Sequence, residues 1–283
     1  MTDMTRHAVR ALVAGCLLLL APLPGDAFPE PFALYEDWAT AAAIRSDRWN
    51  ASDDPGQEIA REVSGDRLVM RYRRAGATDS DTGSNFFSNR LLFLKPTTVN
   101  QIEVELRVTD VAVTGCASNA TASITRAATI DLNRISDNPF GIAGNITGDY
   151  IARVEVRRLS DSTDPDGVLT VRGLVFRCDN ASCAATTLVG PPVTLGQVRK
   201  QKTFRVRLTW NAGGNEFLVG LDKNADVSLP YPLTANLDAH SPLAAVRVQH
   251  LPANCTVASG GPAVGDAEIE VRQVGTNASA VIP

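Results

Sequence analysis

Two strand-like runs joined by a short polar turn limit this chain more than any other feature. Phe204, Val206, Leu208 and Trp210 alternate with Arg205, Arg207 and Thr209, the period of a strand with one buried and one wet face. Asn211-Ala212-Gly213-Gly214-Asn215 then supplies turn chemistry, since glycine takes positive φ at no steric cost. Phe217, Val219 and Leu221 resume the alternation. The stretch reads as a long β-hairpin with Phe204, Trp210 and Phe217 in the core.

Similar β-prone runs recur at 58–63, 67–73, 86–94, 99–110, 120–132, 151–159, 168–177, 184–189, 243–249 and 267–274, with turn residues between them. About a dozen strands and no convincing helix predict an all-β domain, a two-sheet antiparallel β-sandwich of jelly-roll type or a barrel. No fixed-period repeat supports a propeller or solenoid. Opposed apolar and polar faces favour sheets packed face to face.

At the start, Arg6 and Arg10 precede an apolar run over 11–20 that Pro22 and Pro24 end, and Gly25-Asp26-Ala27 offers small residues ahead of a cut after Ala27. Residues 1–27 read as a secretory signal peptide, and 28–283 as one domain. Cys16 lies inside the apolar run rather than at its end, which argues against a lipid attachment box there. No later apolar stretch approaches ~18 residues, so nothing spans a membrane after the leader is removed. A net charge of −4 without basic runs argues against nucleic acid as a partner. The leader and the excess of arginine over lysine suggest a bacterial, secreted or periplasmic protein. The Asn-x-Ser/Thr sequences at Asn50, Asn119, Asn145, Asn180, Asn254 and Asn277 are then turn composition rather than glycan acceptors.

Downstream of the leader stand Cys116, Cys178, Cys183 and Cys255, an even set that reads as two disulfides in an exported chain. Cys178 and Cys183 lie close together between two expected strands and pair across a hairpin; Cys116 and Cys255 then pair by elimination. With no Cys-x-x-Cys and only His240 and His250 beyond the leader, a metal site built on these thiols is poorly supported.

Phe32-Ala33-Leu34-Tyr35-Glu36-Asp37-Trp38, followed by a short loop to Trp49, resembles the opening of secreted concanavalin A-like jelly rolls. The 203–222 hairpin resembles a late hairpin of that class, and 267–272 its closing strand beside the first. The resemblance implies the fold and, by analogy alone, a carbohydrate-related role; no cofactor is expected, with calcium as the one candidate.

Several constellations could carry chemistry. Glu103 and Glu105 share one strand face, as a glycosidase pair would. The family-16 glucanases of this fold place a second catalytic carboxylate where Arg107 stands in Glu103-Val104-Glu105-Leu106-Arg107, so the likeness to a hydrolase breaks at that position. The alternative makes Glu103, Glu105, Arg107, Arg153, Glu155, Arg157, Arg205, Arg207, Glu268, Glu270 and Arg272 cross-strand partners on one solvated face. Arg107, Arg153, Glu155, Arg157, Arg205 and Arg207 are then the candidate ligand-binding polar face. Asp222, Asn224 and Asp226 space oxygen ligands as at the start of a calcium loop, although Val227 and Leu233 replace the expected glycine and glutamate. Asp161, Asp164 and Asp166 form a second acidic turn. A polysaccharide lyase could be assembled from Arg71-Tyr72-Arg73 and His250, though Tyr72 reads equally as core; no Gly-x-Ser-x-Gly elbow marks a serine hydrolase. The preferred reading is an exported, non-catalytic module for polysaccharide or cell-surface glycan. The alternatives are a glycoside hydrolase or polysaccharide lyase, and a structural envelope or matrix protein.

Overall fold

The computed structural model describes residues 31–281 apart from 55 and 143; the expected leader and Cys16 lie outside the described residues. Among the described residues sixteen strands follow in chain order. They are β1 (Phe32–Glu36), β2 (Trp49–Asp53), β3 (Glu58–Val63), β4 (Leu68–Ala75), β5 (Phe87–Phe93), β6 (Gln101–Val113), β7 (Ile124–Ser136) and β8 (Asp149–Leu159). Then come β9 (Val168–Cys178), β10 (Thr186–Leu188), β11 (Val193–Arg199), β12 (Thr203–Asn211), β13 (Glu216–Leu221), β14 (Val227–Pro230), β15 (Leu237–Leu251) and β16 (Val264–Asn277). Among the described residues no helix is long and apolar enough to cross a membrane.

The strands form two eight-stranded sheets, every pairing antiparallel. The first runs β14-β13-β12-β6-β16-β4-β3, with β1 beside the far end of β16. The second runs β10-β9-β8-β7-β15-β5-β2, with β11 also on β9. This is the all-β sandwich that the alternation and the concanavalin A-like resemblance implied.

The two inner faces form the core. Ile102, Val104, Leu106 and Val108 of β6 are fully buried, as are Ile130 and Leu132 of β7 and Val154 and Val156 of β8. Each such side chain contributes roughly 1.5–3 kcal/mol by leaving water. One end is closed by aromatics: Tyr35, Trp49 and Phe93 meet with ring centroids 4.6–5.1 Å apart, and Trp38 stacks on Trp49 at 6.0 Å. Trp38 enters through a positive φ of 62° just after β1, a backbone cost that its complete burial offsets.

The central hairpin keeps its expected register, with Leu208 opposite Val219 and Trp210 opposite Phe217. Two details differ. Asn215, not a glycine, takes the positive φ (49°), because Asn also tolerates the left-handed region. Phe204 and Phe217 are buried, but Trp210 is only partly so. Its Nε1 donates to the Tyr231 hydroxyl at 2.8 Å, and the Arg134 guanidinium lies 5.3 Å from its ring centroid.

The structure adds β2, β11 and β14 to the expected set. A register shift between Thr194 and Gly196 interrupts the alternation of β11. In β14, Pro230 sits on an edge strand, where a missing donor is tolerated. The disulfides join Cys116 to Cys255 and Cys178 to Cys183, with Cα atoms 6.0 and 4.7 Å apart. The first clasps the loop after β6 to the β15–β16 connection; the second staples β9 to the loop before β10.

Candidate functional site

Alternation gives each sheet an outward set of side chains, and the two sets differ. On the first sheet, Arg205 pairs with Glu105 at 2.6 Å and lies 3.8 Å from Glu103. Arg107 and Arg67 share Glu270 at 2.8 and 3.5 Å, while Arg71 pairs with Glu58 at 3.0 Å. The hydrogen bond to Glu105 raises the pKa of Arg205, whose side chain is 48% exposed. Apart from Glu270, which is buried at 7% exposure, this is the expected cross-strand ion ladder, solvated and individually weak. Glu103 and Glu105 also line a shallow depression of about 200 Å³ with Phe32, Leu34 and Gln273.

The expected polar face was a composite. Arg107, Arg205 and Arg207 belong to the first sheet, whereas Arg153, Glu155 and Arg157 belong to the second. Arg153 and Arg157 therefore do not flank Glu103 and Glu105. Strand periodicity separates inward from outward, but cannot state which sheet a strand joins.

Outward positions of the second sheet carry charges that have almost left water. Asp131 of β7 and Glu155 of β8 have no exposure, and Arg126, Arg153 and Arg247 are each 8% exposed. Arg153 Nε donates to Asp131 Oδ1 at 2.5 Å, and Arg247 Nε is 3.0 Å from Oδ2. Glu155 takes ion pairs from Arg126 at 2.5 Å, Arg157 at 3.5 Å, and Arg172, which also donates a hydrogen bond. Arg90, opposite Arg247 on β5, holds Asp54 at 2.7 Å. Register explains the assembly. Arg172 faces Glu155, Glu155 faces Thr129, Thr129 faces Arg247 and Arg247 faces Arg90, making one row across five strands. Phe176 lies beneath Arg153, 5.1 Å from its guanidinium carbon to the ring centroid.

Burial alone would raise the pKa values of Asp131 and Glu155. The surrounding guanidinia outweigh it, and both acids are held below the usual carboxylate range. Burial brings Arg126 down to about 10, still charged at neutral pH. Both carboxylates are thus ionised, and neither can serve as a general acid near pH 7, a role that needs a raised pKa. Among the described residues, the outward positions of β7, β8 and β9 and positions 245, 247 and 249 of β15 hold no histidine or tyrosine.

Both histidines among the described residues are otherwise engaged. His250 is buried between the sheets, stacked on Tyr72 with centroids 5.2 Å apart, and hydrogen-bonded through Nε2 to the Tyr72 carbonyl at 2.8 Å. Gly265 makes room for it, since a Cβ there would fall 2.7 Å from the ring. The lyase constellation of Arg71, Tyr72, Arg73 and His250 is therefore split between surface and core. At the end of the second sheet, His240 Nδ1 meets both Asp149 Oδ1 (2.8 Å) and Ser136 Oγ (3.1 Å). A hydrolase triad uses opposite ring nitrogens. Nε2 faces Gly141, where a Cβ would lie 1.9 Å away, so loop backbone covers it.

In the loop that resembled a calcium site, Arg207 already gathers the oxygens. It binds the Asp226 carboxylate at 2.7 Å, the Asn224 carbonyl at 2.9 Å and the Asp222 carbonyl. Asp222 Oδ1 instead accepts the Arg205 backbone N–H at 2.8 Å. Among the described residues, no three His, Cys, Asp or Glu side chains converge as metal ligands.

No family model matches the chain, and no curated protein does. Its fold is similar to several solved structures. The Emp47p carbohydrate recognition domain gives a TM-score of 0.43 at 11% identity, over 89% of this chain and 98% of that one. LamAcat from Zobellia galactanivorans gives 0.45 at 11%, over 86% and 97%. A sialidase gives 0.42 at 13% over 87% of this chain, which spans only 18% of that protein's length. Likeness at this level concerns the sandwich and not its chemistry, which rests on the side chains described above.

Proposed function

We propose that this chain is an exported, non-catalytic module that binds glycan along the outward face of its second sheet. The observation carrying this reading is the row of guanidinia laid over two fully buried carboxylates. Such a row presents forked donors whose geometry is set by strands rather than loops, so little ordering is left to be done on binding. Phe176 adds an apolar surface beside them. Among the described residues, the outward positions named above hold no histidine or tyrosine, and the two buried carboxylates are not poised as general acids, which favours binding over cleavage. The two disulfides suit an oxidising, extracytoplasmic compartment.

A glycan array, followed by calorimetry on the strongest binder, tests the reading. The expected result is saturable binding with neither reducing sugar nor unsaturated product released. Release of either product by purified protein, lost in Glu155→Gln or Asp131→Asn but kept in Glu105→Gln, would assign an enzyme to this face instead.

A further inference from the structure

We infer that the glycan taken by the second sheet is polyanionic, an extended chain bearing carboxylate or sulfate groups. The inference rests on the binding-face reading above and adds the chemical class of ligand. Six guanidinia meet on this face, those of Arg90, Arg126, Arg153, Arg157, Arg172 and Arg247, against the carboxylates of Asp54, Asp131 and Glu155. Six cations against three anions leave this cluster at +3 on a protein whose net charge is −4, so the excess is local and not compositional.

Depth sharpens the asymmetry. Asp131 and Glu155 have no exposure, while Arg157, Arg172 and Arg90 keep 17%, 19% and 28% of their side chains in solvent. At its centre, the face therefore shows solvent the cations and hides the anions. Each guanidinium offers five N–H donors and a carboxylate about four acceptor sites, so roughly thirty donors confront about twelve acceptors. The Nε atoms of Arg126, Arg157 and Arg247 lie 2.5, 3.5 and 3.0 Å from the Glu155 and Asp131 carboxylates, so the two buried acids hold the guanidinia in place. Guanidinium pairs with carboxylate or sulfate oxygens through two parallel bonds, which neutral hydroxyls cannot match. The row from Arg172 to Arg90 crosses five adjacent strands, roughly 19 Å at the usual strand spacing. That length fits an extended polymer better than one small anion. The first sheet offers no such surplus, because its arginines are matched by Glu58, Glu103, Glu105 and Asp226, which keep 22–45% of their side chains in solvent, and by the buried Glu270.

The test titrates purified protein with alginate (carboxylates), dextran sulfate (sulfates), laminarin (neutral) and single-stranded DNA, each at low and high salt. One or both anionic glycans should bind, and raising salt from about 0.1 M to 1 M should weaken binding at least tenfold as the screening length falls. Arg157→Gln should weaken binding roughly tenfold, the worth of one charge-assisted contact; Arg205→Gln should not change it. Arg157 is the least tightly tied of the Glu155 partners, and Arg90→Gln at the rim serves as the second variant should the first fail to fold. Binding of alginate alone or dextran sulfate alone names the anion. Laminarin bound as tightly as the anions, and lost in Arg157→Gln, overturns the polyanion inference but keeps the binding face. No binding to any glycan overturns both, and DNA bound as tightly as the glycans overturns the assignment to glycan.

Discussion

The outward faces of the two sheets use the same residue types to opposite ends. On the first sheet, Glu103, Glu105 and Arg205 stay 22–48% exposed and exchange partners across strands. On the second, Asp131 and Glu155 are sealed beneath arginines. A solvated ion pair is worth little because water competes for both partners. A buried acid cannot be left alone, because losing its partner strands a charge where it cannot be hydrated. The same Glu–Arg chemistry thus makes a tolerant surface on one side and a rigid, demanding one on the other.

The largest expected effect asks whether the sheets are held as one body. Removing the Cys116–Cys255 bond, which closes a loop of 139 residues, should cost about 5 kcal/mol in the chain-entropy model, against about 2 for Cys178–Cys183. Denaturant unfolding of the two double-serine variants measures both; a larger loss from the short loop would refute the clasp.

Next comes the contrast itself. Asp131→Ala should destabilise by roughly 3–5 kcal/mol, since it strands Arg153 and Arg247. The depressed pKa of Asp131 adds a pH signature. Its ionic stabilisation is complete above the ordinary carboxylate value near ~4 and fades as pH falls toward its lower folded value. If Asp131→Ala costs no more than an exposed-pair mutation, the buried network is not structural.

His250 probes the seam between the sheets. Burial pushes its pKa from 6.5 down to about 4, so the folded protein refuses a proton that the unfolded chain accepts. Stability should therefore fall as pH drops from about 6.5 to about 4, by on the order of 3 kcal/mol, with no further loss from this group below that. His250→Gln should flatten that window, and an unchanged slope would trace the pH dependence to another group.

The smallest effect belongs to the first sheet. Glu105→Gln should change stability by less than about 1 kcal/mol, read from the same unfolding curves. A loss comparable to that of Asp131→Ala would erase the distinction between the faces.

How far the sequence foretold this follows from what periodicity can encode. Alternation at Phe204–Leu208 and Ile102–Val108 is local, and it placed strands and inward residues correctly. Sheet membership is a matter of long-range pairing, so Arg107 and Arg153 could share a pattern while standing on opposite sides of the sandwich. Part of the candidate site was legible, since Arg153, Glu155 and Arg157 alternate openly. Asp131, Arg126, Arg172 and Arg247 were missed because they sit singly in runs of Ala, Val, Ile and Leu. A signal existed nonetheless. Thr129-Ile130-Asp131-Leu132-Asn133 puts an acid, rare in strands, at an outward position between β-formers. A charge there is almost never fully buried unless paired.

Arginine side-chain NMR tests the central claim most directly. The Nε–Hε resonances of the protein are followed during titration with whichever glycan binds. The account predicts saturable shifts at Arg126, Arg153, Arg157, Arg172 and Arg247, with those of Arg107, Arg205 and Arg207 unmoved. Shifts confined to the second trio, or none at all while co-sedimentation proves the glycan bound, would contradict the assignment of the second sheet as the binding face.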